Sequence, residues 1–171
     1  MESLKAKIRD IPDFPKPGVM FKDITPLLAD GPSFRTLTEA LARRFADRKV
    51  DVVVGVEARG FIIGSAVAYV LGAGIVLIRK KGKLPYKTHK AIYQLEYGTD
   101  TLEIHEDAIR PGQRVLIVDD LLATGGTVCA AIDLVNKLGG TVVGVGFLVE
   151  LTFLKGRERL HEHEVFALLQ F

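Results

Sequence analysis

The run Val115-Leu-Ile-Val-Asp-Asp-Leu-Leu-Ala-Thr-Gly-Gly-Thr127 restricts the fold of this chain more than any other stretch. Four apolar residues, three of them β-branched, stop at two carboxylates, Asp119 and Asp120. A turn of small, glycine- and hydroxyl-bearing residues follows, and then the apolar run Val128 to Leu138. That order reads as a buried parallel strand, a loop at its carboxyl end and a helix. In open α/β sheets, ligands sit at that end of the strands. Gly125 and Gly126 allow close approach of the backbone, and Thr124 and Thr127 bring hydroxyls to the helix N-terminus. Unpaired N–H groups and the positive end of the helix dipole converge there, which suits a phosphate. Asp119 and Asp120 add anionic acceptors fitted to sugar hydroxyls or a hydrated metal ion. Together the two halves describe a cradle for a ribose 5-phosphate.

The rest of the chain supplies more units of the same kind. Asp51 to Val56 and Gly74 to Ile78 read as strands, with apolar Gly60 to Leu71 as a helix between them. Thr141 to Val149 and Glu164 to Leu169 read as two later strands, after a C-cap signal at Gly139-Gly140. Strands alternating with helices predict an α/β fold, a doubly wound, mostly parallel sheet flanked by helices. Ser33 is the expected N-cap of a helix that aligns Phe34, Leu37, Leu41 and Phe45 on one face. Leu4 to Ile11 reads as a short amphipathic helix. Asp13 to Asp23, with two prolines and a glycine, reads as a shaped loop carrying two aromatics. Arg79 to Lys90 is basic, broken by glycine and proline, and reads as a long mobile excursion, with a hairpin as the alternative, that rejoins order near Ala91 to Tyr97. Thr101 to His105 is a candidate short strand. At 171 residues, the chain is expected to be one domain, residues 1–171, with a substantial core.

Several function classes are disfavoured. A net charge of +2 gives no argument for nucleic acid. Cys129 is the only cysteine, so it forms no intramolecular disulfide and is expected to be a structural thiol. No apolar run approaches the roughly 18 residues of a membrane span, and Met1 to Asp13 lacks the apolar core of a signal peptide. A cytoplasmic address is expected. Gly55 to Gly60 has the glycine spacing of a nucleotide-triphosphate loop, but Phe61 stands where lysine is needed. Gly144-x-Gly146 lacks a third glycine, no serine sits in a Gly-x-Ser-x-Gly elbow, and His161-Glu-His163 reads as a charged turn.

Val115 to Thr127 resembles the phosphoribosyl-pyrophosphate motif of type I phosphoribosyltransferases. More narrowly, the chain resembles the adenine-specific family nearly end to end. The resemblance runs through Phe14-Pro-Lys-Pro-Gly-Val-Met-Phe-Lys-Asp23, Glu57-Ala-Arg-Gly-Phe61, Arg79-Lys-Lys-Gly-Lys-Leu-Pro85, Leu95-Glu-Tyr-Gly98, Val118 to Thr127 and Leu148-Val-Glu-Leu151. It implies a small hood built from the N- and C-terminal segments and a flexible loop over the sheet. It also implies synthesis of AMP and pyrophosphate from adenine and 5-phosphoribosyl 1-pyrophosphate, with Mg²⁺, by a homodimer, and without a nucleic-acid or membrane partner.

Carried onto this chain, the resemblance implies that Ala123, Thr124, Gly125, Gly126 and Thr127 hold the 5-phosphate. Of Asp119 and Asp120, whose side chains diverge in extended backbone, one would reach the ribose hydroxyls and the other orient the site or hydrated Mg²⁺, with the order between them open. Mg²⁺ is then held mainly by substrate and water, with Asp119 or Asp120 as the candidate protein ligand. Arg59, Arg79, Lys80 and Lys83 would face the pyrophosphate, where cations match the charge of the leaving group. Glu96 would exchange a proton with the purine, and Tyr97 would help order the closed loop. Phe21 and Leu151 would sandwich the base, with the backbone of Met20 and Lys22 reading its edge. Lys22 departs from the commoner arginine, so a planar fork is missing there if the side chain matters. Read from the residues alone, alternatives stay open: the two aspartates as helix caps, Arg59 in a surface ion pair, Glu96 as a surface carboxylate and Leu151 as core. Two other functions compete: a type I enzyme for hypoxanthine, guanine or xanthine, and a non-catalytic sensor of phosphoribosyl pyrophosphate.

Overall fold

A computed structural model describes residues 1–94 and 99–171. Helix α1 (Glu2–Lys5) leads into a two-stranded antiparallel hairpin, β1 (Arg9–Ile11) with β2 (Phe21–Asp23). Helices α2 (Thr25–Ala29) and α3 (Gly31–Arg44) follow. The chain continues through β3 (Val52–Val56), α4 (Arg59–Leu71), β4 (Gly74–Lys80), β5 (Thr88–Gln94) and β6 (Thr99–His105). It ends with β7 (Arg114–Leu122), α5 (Gly126–Lys137), β8 (Thr141–Glu150) and β9 (Val165–Gln170).

The main sheet has the order β5-β6-β4-β3-β7-β8-β9. Strands β4, β3, β7, β8 and β9 pair in parallel, while β6 and β5 extend one edge antiparallel. This is the doubly wound, mostly parallel sheet expected from the β–α alternation. The period-two alternation of side chains splits the apolar runs between its faces. Val54, Val56, Val115 and Ile117 pack with α5 on one face. Val53, Leu116 and Val118 pack with α3 and α4 on the other. Both faces of the central strands are therefore covered, and β3 is buried at every position, which is why it reads as an unbroken apolar run.

Three local expectations are corrected. Leu4 to Ile11 is not one helix: α1 ends at Lys5, and Arg9 to Ile11 pairs with Phe21 to Asp23. The partner strand's backbone outbids a weak helical pattern of only two turns. Asp30, not Ser33, caps α3, accepting a bond of 3.0 Å from the Ser33 N–H. Pro32 stands in the first turn, where its missing N–H costs nothing, so the helix starts two residues before Ser33. The basic excursion is also shorter. Arg79 and Lys80 finish β4 and pair with Glu103 and Leu102, while Thr88 to Lys90 already belong to β5. Only residues 81–87 join the two strands. The charged side chains alternate with residues such as Ala91, Leu102 and Ile104 that meet the core, so ladder pairing overrides the polar composition. The candidate residues Glu96 and Tyr97 lie outside the described residues.

Candidate functional site

The turn from β7 into α5 is Ala123-Thr124-Gly125, at the carboxyl end of the central strand. Gly125 occupies the N-cap position with φ 84° and offers no side chain to cap the helix. A residue with a Cβ is strained there, and the N–H groups of the first turn keep no side-chain acceptor. Neither aspartate caps α5, which removes the capping alternative. The turn encloses a concavity of about 60 Å³ lined by Asp119 and Ala123 to Thr127. That is several times the volume one ordered water needs, and Leu121, Leu122, Val128 and Phe147 share its lining with the turn.

Asp119 and Asp120 end the buried part of β7, only 8% and 7% exposed. Asp119 Oδ1 accepts from the Asp120 N–H at 2.9 Å. Asp120 Oδ2 lies 2.7 Å from Arg59 Nε, an ion pair without hydrogen-bond alignment, so this buried oxygen has no hydrogen-bond donor. Burial first, and the neighbouring Asp120 second, push the Asp119 carboxyl well above its ordinary range. Burial raises Asp120 as well, against the pull of Arg59. Two buried carboxylates, one of them with an oxygen short of a donor, gain from sugar hydroxyls or a hydrated cation.

Arg59, the first residue of α4, joins this acid pair to the aromatic side of the site. Its guanidinium stands 5.2 Å over the Phe21 ring, and Phe14 meets Phe21 edge-on at 5.0 Å. Both partners of Arg59 are thus internal in this state. Met20 is half exposed. Lys22 turns its ammonium toward Asp10 Oδ1 at 2.6 Å and over the Phe171 ring at 4.2 Å. Its side chain is only 12% exposed, so the hood occupies the side chain and leaves the main chain as the part able to read a base. Leu151 follows β8, donates its N–H to Leu122 O at 2.9 Å and is 9% exposed within the second core. Most of Leu151 is packing, with only an edge left for a ligand.

The basic residues are placed at the other side. Arg79 Nε meets Glu57 Oε2 at 2.8 Å, and its guanidinium also reaches the Lys83 carbonyl at 3.4 Å. Lys80 Nζ pairs with Asp100 Oδ2 at 3.2 Å. Lys83 is exposed in the turn between β4 and β5.

Three residues of this network escaped sequence reasoning. Glu57 follows the buried strand β3 as Asp119 follows the apolar part of β7, a repeated pattern that was available to read. Tyr93 and Asp100 face one another across the β5–β6 hairpin, and nothing short of that register points to them. Among the described residues, no group of three or more His, Cys, Asp or Glu is arranged to hold a metal, and no helix is long and apolar enough to cross a membrane.

Known proteins share the sequence and the fold. Residues 24–167 match the family described as the phosphoribosyl transferase domain. The adenine phosphoribosyltransferase of Syntrophotalea carbinolica is 62% identical over 171 residues, spanning the whole of both chains. The crystal structure of adenine phosphoribosyltransferase from Rhodothermus marinus has a TM-score of 0.96 at 56% identity, over 99% of this chain and 97% of that one. The Saccharomyces cerevisiae enzyme, solved with D-2,5-dideoxy-2,5-imino-altritol 1,6-bisphosphate and adenine, has a TM-score of 0.93 at 42% identity, over 98% and 97%. Identity of this order along the whole length, on this scaffold, places the chain in the adenine phosphoribosyltransferase family.

Proposed function

We propose that this chain works in purine salvage, transferring the 5-phosphoribosyl group of 5-phosphoribosyl 1-pyrophosphate to adenine and releasing AMP and pyrophosphate. The observation that carries the reading is the Ala123–Thr127 concavity beside a buried carboxylate pair, one oxygen of which, Asp120 Oδ2, has no hydrogen-bond donor. The first fits a phosphate and the second a diol, and both lie at the carboxyl end of one strand.

In the reaction, adenine N9 forms a bond to ribose C1 as the bond from C1 to the pyrophosphate oxygen breaks, and the N9 proton departs. Positive charge gathers on the ribosyl ring and negative charge on the leaving group, so catalysis rests on positioning and electrostatics. Ala123 to Thr127 anchor the 5-phosphate through backbone N–H groups and hydroxyls. Asp119 and Asp120 accept from the ribose hydroxyls, and their charge lies near the ring that becomes cationic. Arg79, Lys80 and Lys83 turn to the pyrophosphate, and Arg59 joins them once its internal partners give way to substrate. Phe21 offers its face to the purine, the edge of Leu151 the opposite side, and the backbone of Met20 and Lys22 the hydrogen bonds. Glu96 takes the proton, a role that rests on the resemblance of Leu95-Glu-Tyr-Gly98 to the family.

Mg²⁺ fits this site as a substrate-borne ion. The candidate protein ligands are hard carboxylate oxygens, and Asp120 Oδ2 is a buried acceptor short of donors. Asp119 or Asp120 would hold the ion alongside the substrate, and it would supply charge neutralisation at the leaving pyrophosphate. The chain acts as one domain and is expected to be a homodimer.

Purified protein with Mg²⁺ and phosphoribosyl pyrophosphate should consume adenine and not hypoxanthine, guanine or xanthine. Turnover of a 6-oxopurine in place of adenine defeats the specificity, and no turnover of any base favours a sensor. Glu96→Gln should slow the chemical step by a factor on the order of 10²–10⁴. An unchanged single-turnover rate removes Glu96 from the proton transfer.

A further inference from the structure

Glu150, the last residue of β8, is a buried charge that the reaction as described does not use. It is 4% exposed, and a carboxylate so placed costs stability unless it is paired and hydrogen-bonded. Arg157 meets that need with its planar fork. Its Nε donates to Glu150 Oε1 at 2.9 Å and its Nη2 to Oε2 at 2.6 Å. Gln170 Nε2 adds a third donor at 3.1 Å, and Arg157 Nη1 reaches the Val165 carbonyl at 2.8 Å. The Arg157 hydrogen bonds, the largest influence on it, hold the Glu150 carboxyl below its ordinary range, so it stays ionised. The pair folds the connection after β8 back onto the end of its own strand.

That closure holds Gly156, the residue before Arg157. Gly156 is buried and does not adopt a positive φ, so it is needed for space and not for backbone freedom. A Cβ there would collide with the Ala123 carbonyl oxygen, and a Cβ on Gly125 would lie 2.8 Å from the Gly156 carbonyl oxygen. The Gly156 backbone therefore packs against both ends of the Ala123-Thr124-Gly125 turn. It does not line the concavity, so it backs the turn from outside. Leu122, which leads into the turn, is also the register partner of Glu150. The peptide joining Ala123 to Thr124 is trans, so a carbonyl aimed at Gly156 sends the Thr124 N–H the opposite way. Were that peptide free to rotate, its carbonyl oxygen would face an anion in the concavity and repel it.

We propose that Glu150 and Arg157 are positioning residues for the 5-phosphate turn. They hold Gly156 against Ala123 and Gly125, so that the turn keeps its carbonyl outward and its N–H groups free for the anion. The proposal rests on the reading of Ala123 to Thr127 as the phosphate site. Neither side chain lines the concavity, so both act through Gly156 and neither touches the phosphate. Hydrogen bonds weaken steeply as their angles depart from linear, so an anion site depends on what fixes its donors. The wall is in place before the ligand arrives. Its effect therefore belongs to sugar-phosphate affinity and not to the base or the proton transfer.

The test is calorimetry on the full chain with ribose 5-phosphate, which carries the phosphate and the diol but neither pyrophosphate nor base. The KM of both substrates is read beside it, all well below the thermal midpoint. Glu150→Gln keeps the shape and removes the charge, Arg157→Met removes the fork and the charge, and Arg157→Lys removes only the fork. Glu150→Gln and Arg157→Met should each weaken ribose 5-phosphate binding about three- to tenfold, the scale of one hydrogen bond. Phosphoribosyl-pyrophosphate KM should rise in step while adenine KM stays unchanged, and Arg157→Lys should fall between Arg157→Met and the unaltered chain. The double variant Glu150→Gln with Arg157→Met should be little worse than either single one, because the same contact is lost once. Losses that multiply in the double variant overturn the proposal. Normal ribose 5-phosphate affinity in both single variants, even with a lowered thermal midpoint, makes the pair a structural tie and overturns it. An adenine KM that rises as far as that of phosphoribosyl pyrophosphate also overturns it. Thr127→Val separates this failure from that of the phosphate site. If it weakens ribose 5-phosphate binding while the pair variants do not, the positioning role falls and the site stands. If Thr127→Val binds normally, the site falls and the positioning role with it.

Discussion

The proposed phosphate turn and the proposed base shelf are built by opposite means. The turn is contiguous in sequence, made largely of backbone, and set between a buried strand and a helix dipole. The shelf draws Phe14, Phe21, Arg59 and Leu151 from distant segments, and its contacts are aromatic edges and a guanidinium face. Local chain chemistry suffices to make an anion cradle, because every residue supplies an N–H and a glycine supplies the curvature. Recognition of a flat base needs side chains brought from several places, so it depends on the hood closing over the sheet. On the proposed reading, base specificity is the more dispersed property and the sugar-phosphate grip the more local one.

The contrast is open to attack at both ends. The largest effect is expected from Asp119→Asn combined with Asp120→Asn. Losing charged acceptors for the ribose hydroxyls should weaken phosphoribosyl-pyrophosphate binding by about 10²-fold or more. Stability should move the other way. Both carboxyls have folded pKa values above 3.8, so the folded chain retains protons that the unfolded chain releases as pH rises above that value. Their ionisation therefore removes stability on going toward neutral pH. The double variant should melt higher at pH 7, by about 2–4 °C for each kcal/mol relieved, and the gain should shrink in acid. A variant that binds substrate normally, or melts lower at pH 7, breaks the account of the acid pair.

Next in size is Gly156→Ala, which tests whether the turn depends on its support. A Cβ on Gly156 would lie 2.1 Å from the Ala123 carbonyl oxygen, so the backbone of the turn must shift. A cost of about 1–3 kcal/mol in denaturant unfolding is expected. It should be accompanied by a raised phosphoribosyl-pyrophosphate KM and an unchanged adenine KM. Phe21→Leu probes the shelf in mirror image. It should raise adenine KM about three- to tenfold, the value of an aromatic stacking contact, and leave the sugar-phosphate step alone. If either variant moves both substrates equally, the two halves are not separable.

The smallest effect is expected at Lys22. Its ammonium pairs with Asp10 and the Phe171 ring, so Lys22→Met should cost about 1 kcal/mol of stability through the hood. Adenine KM should move by less than about threefold, as expected for a residue whose backbone does the reading. A tenfold or greater loss of adenine binding would give the side chain a direct role and make the lysine a true departure from arginine.

Much of this was legible because some segments carry their own structural instruction. Val115 to Val118 cannot be exposed at tolerable cost, two glycines follow, and the next apolar run has helical length, so strand, turn and helix follow in order. Alternation of such units selected the parallel sheet. The segments that misled were those in which local preference is weak. Leu4 to Ile11 and Arg79 to Lys90 have too few apolar residues to specify a state, and a strand partner decided both. For the same reason, Tyr93 and Asp100 were invisible: each is ordinary in sequence, and only antiparallel register sets them opposite one another.

By itself, then, the sequence determined the parallel sheet and the chemistry of the phosphate turn, because hydrophobic burial, glycine geometry and helix-terminal N–H groups act over a few neighbouring residues. Tertiary structure alone decided that Arg59 lies between Asp120 and Phe21, that Lys22 turns toward Asp10 and Phe171, and that Lys80 and Tyr93 both meet Asp100. Those pairings join residues far apart in the chain. Ion pairs and hydrogen bonds act over a few ångströms of space, and no pattern along a strand or a helix records which distant partner will arrive there.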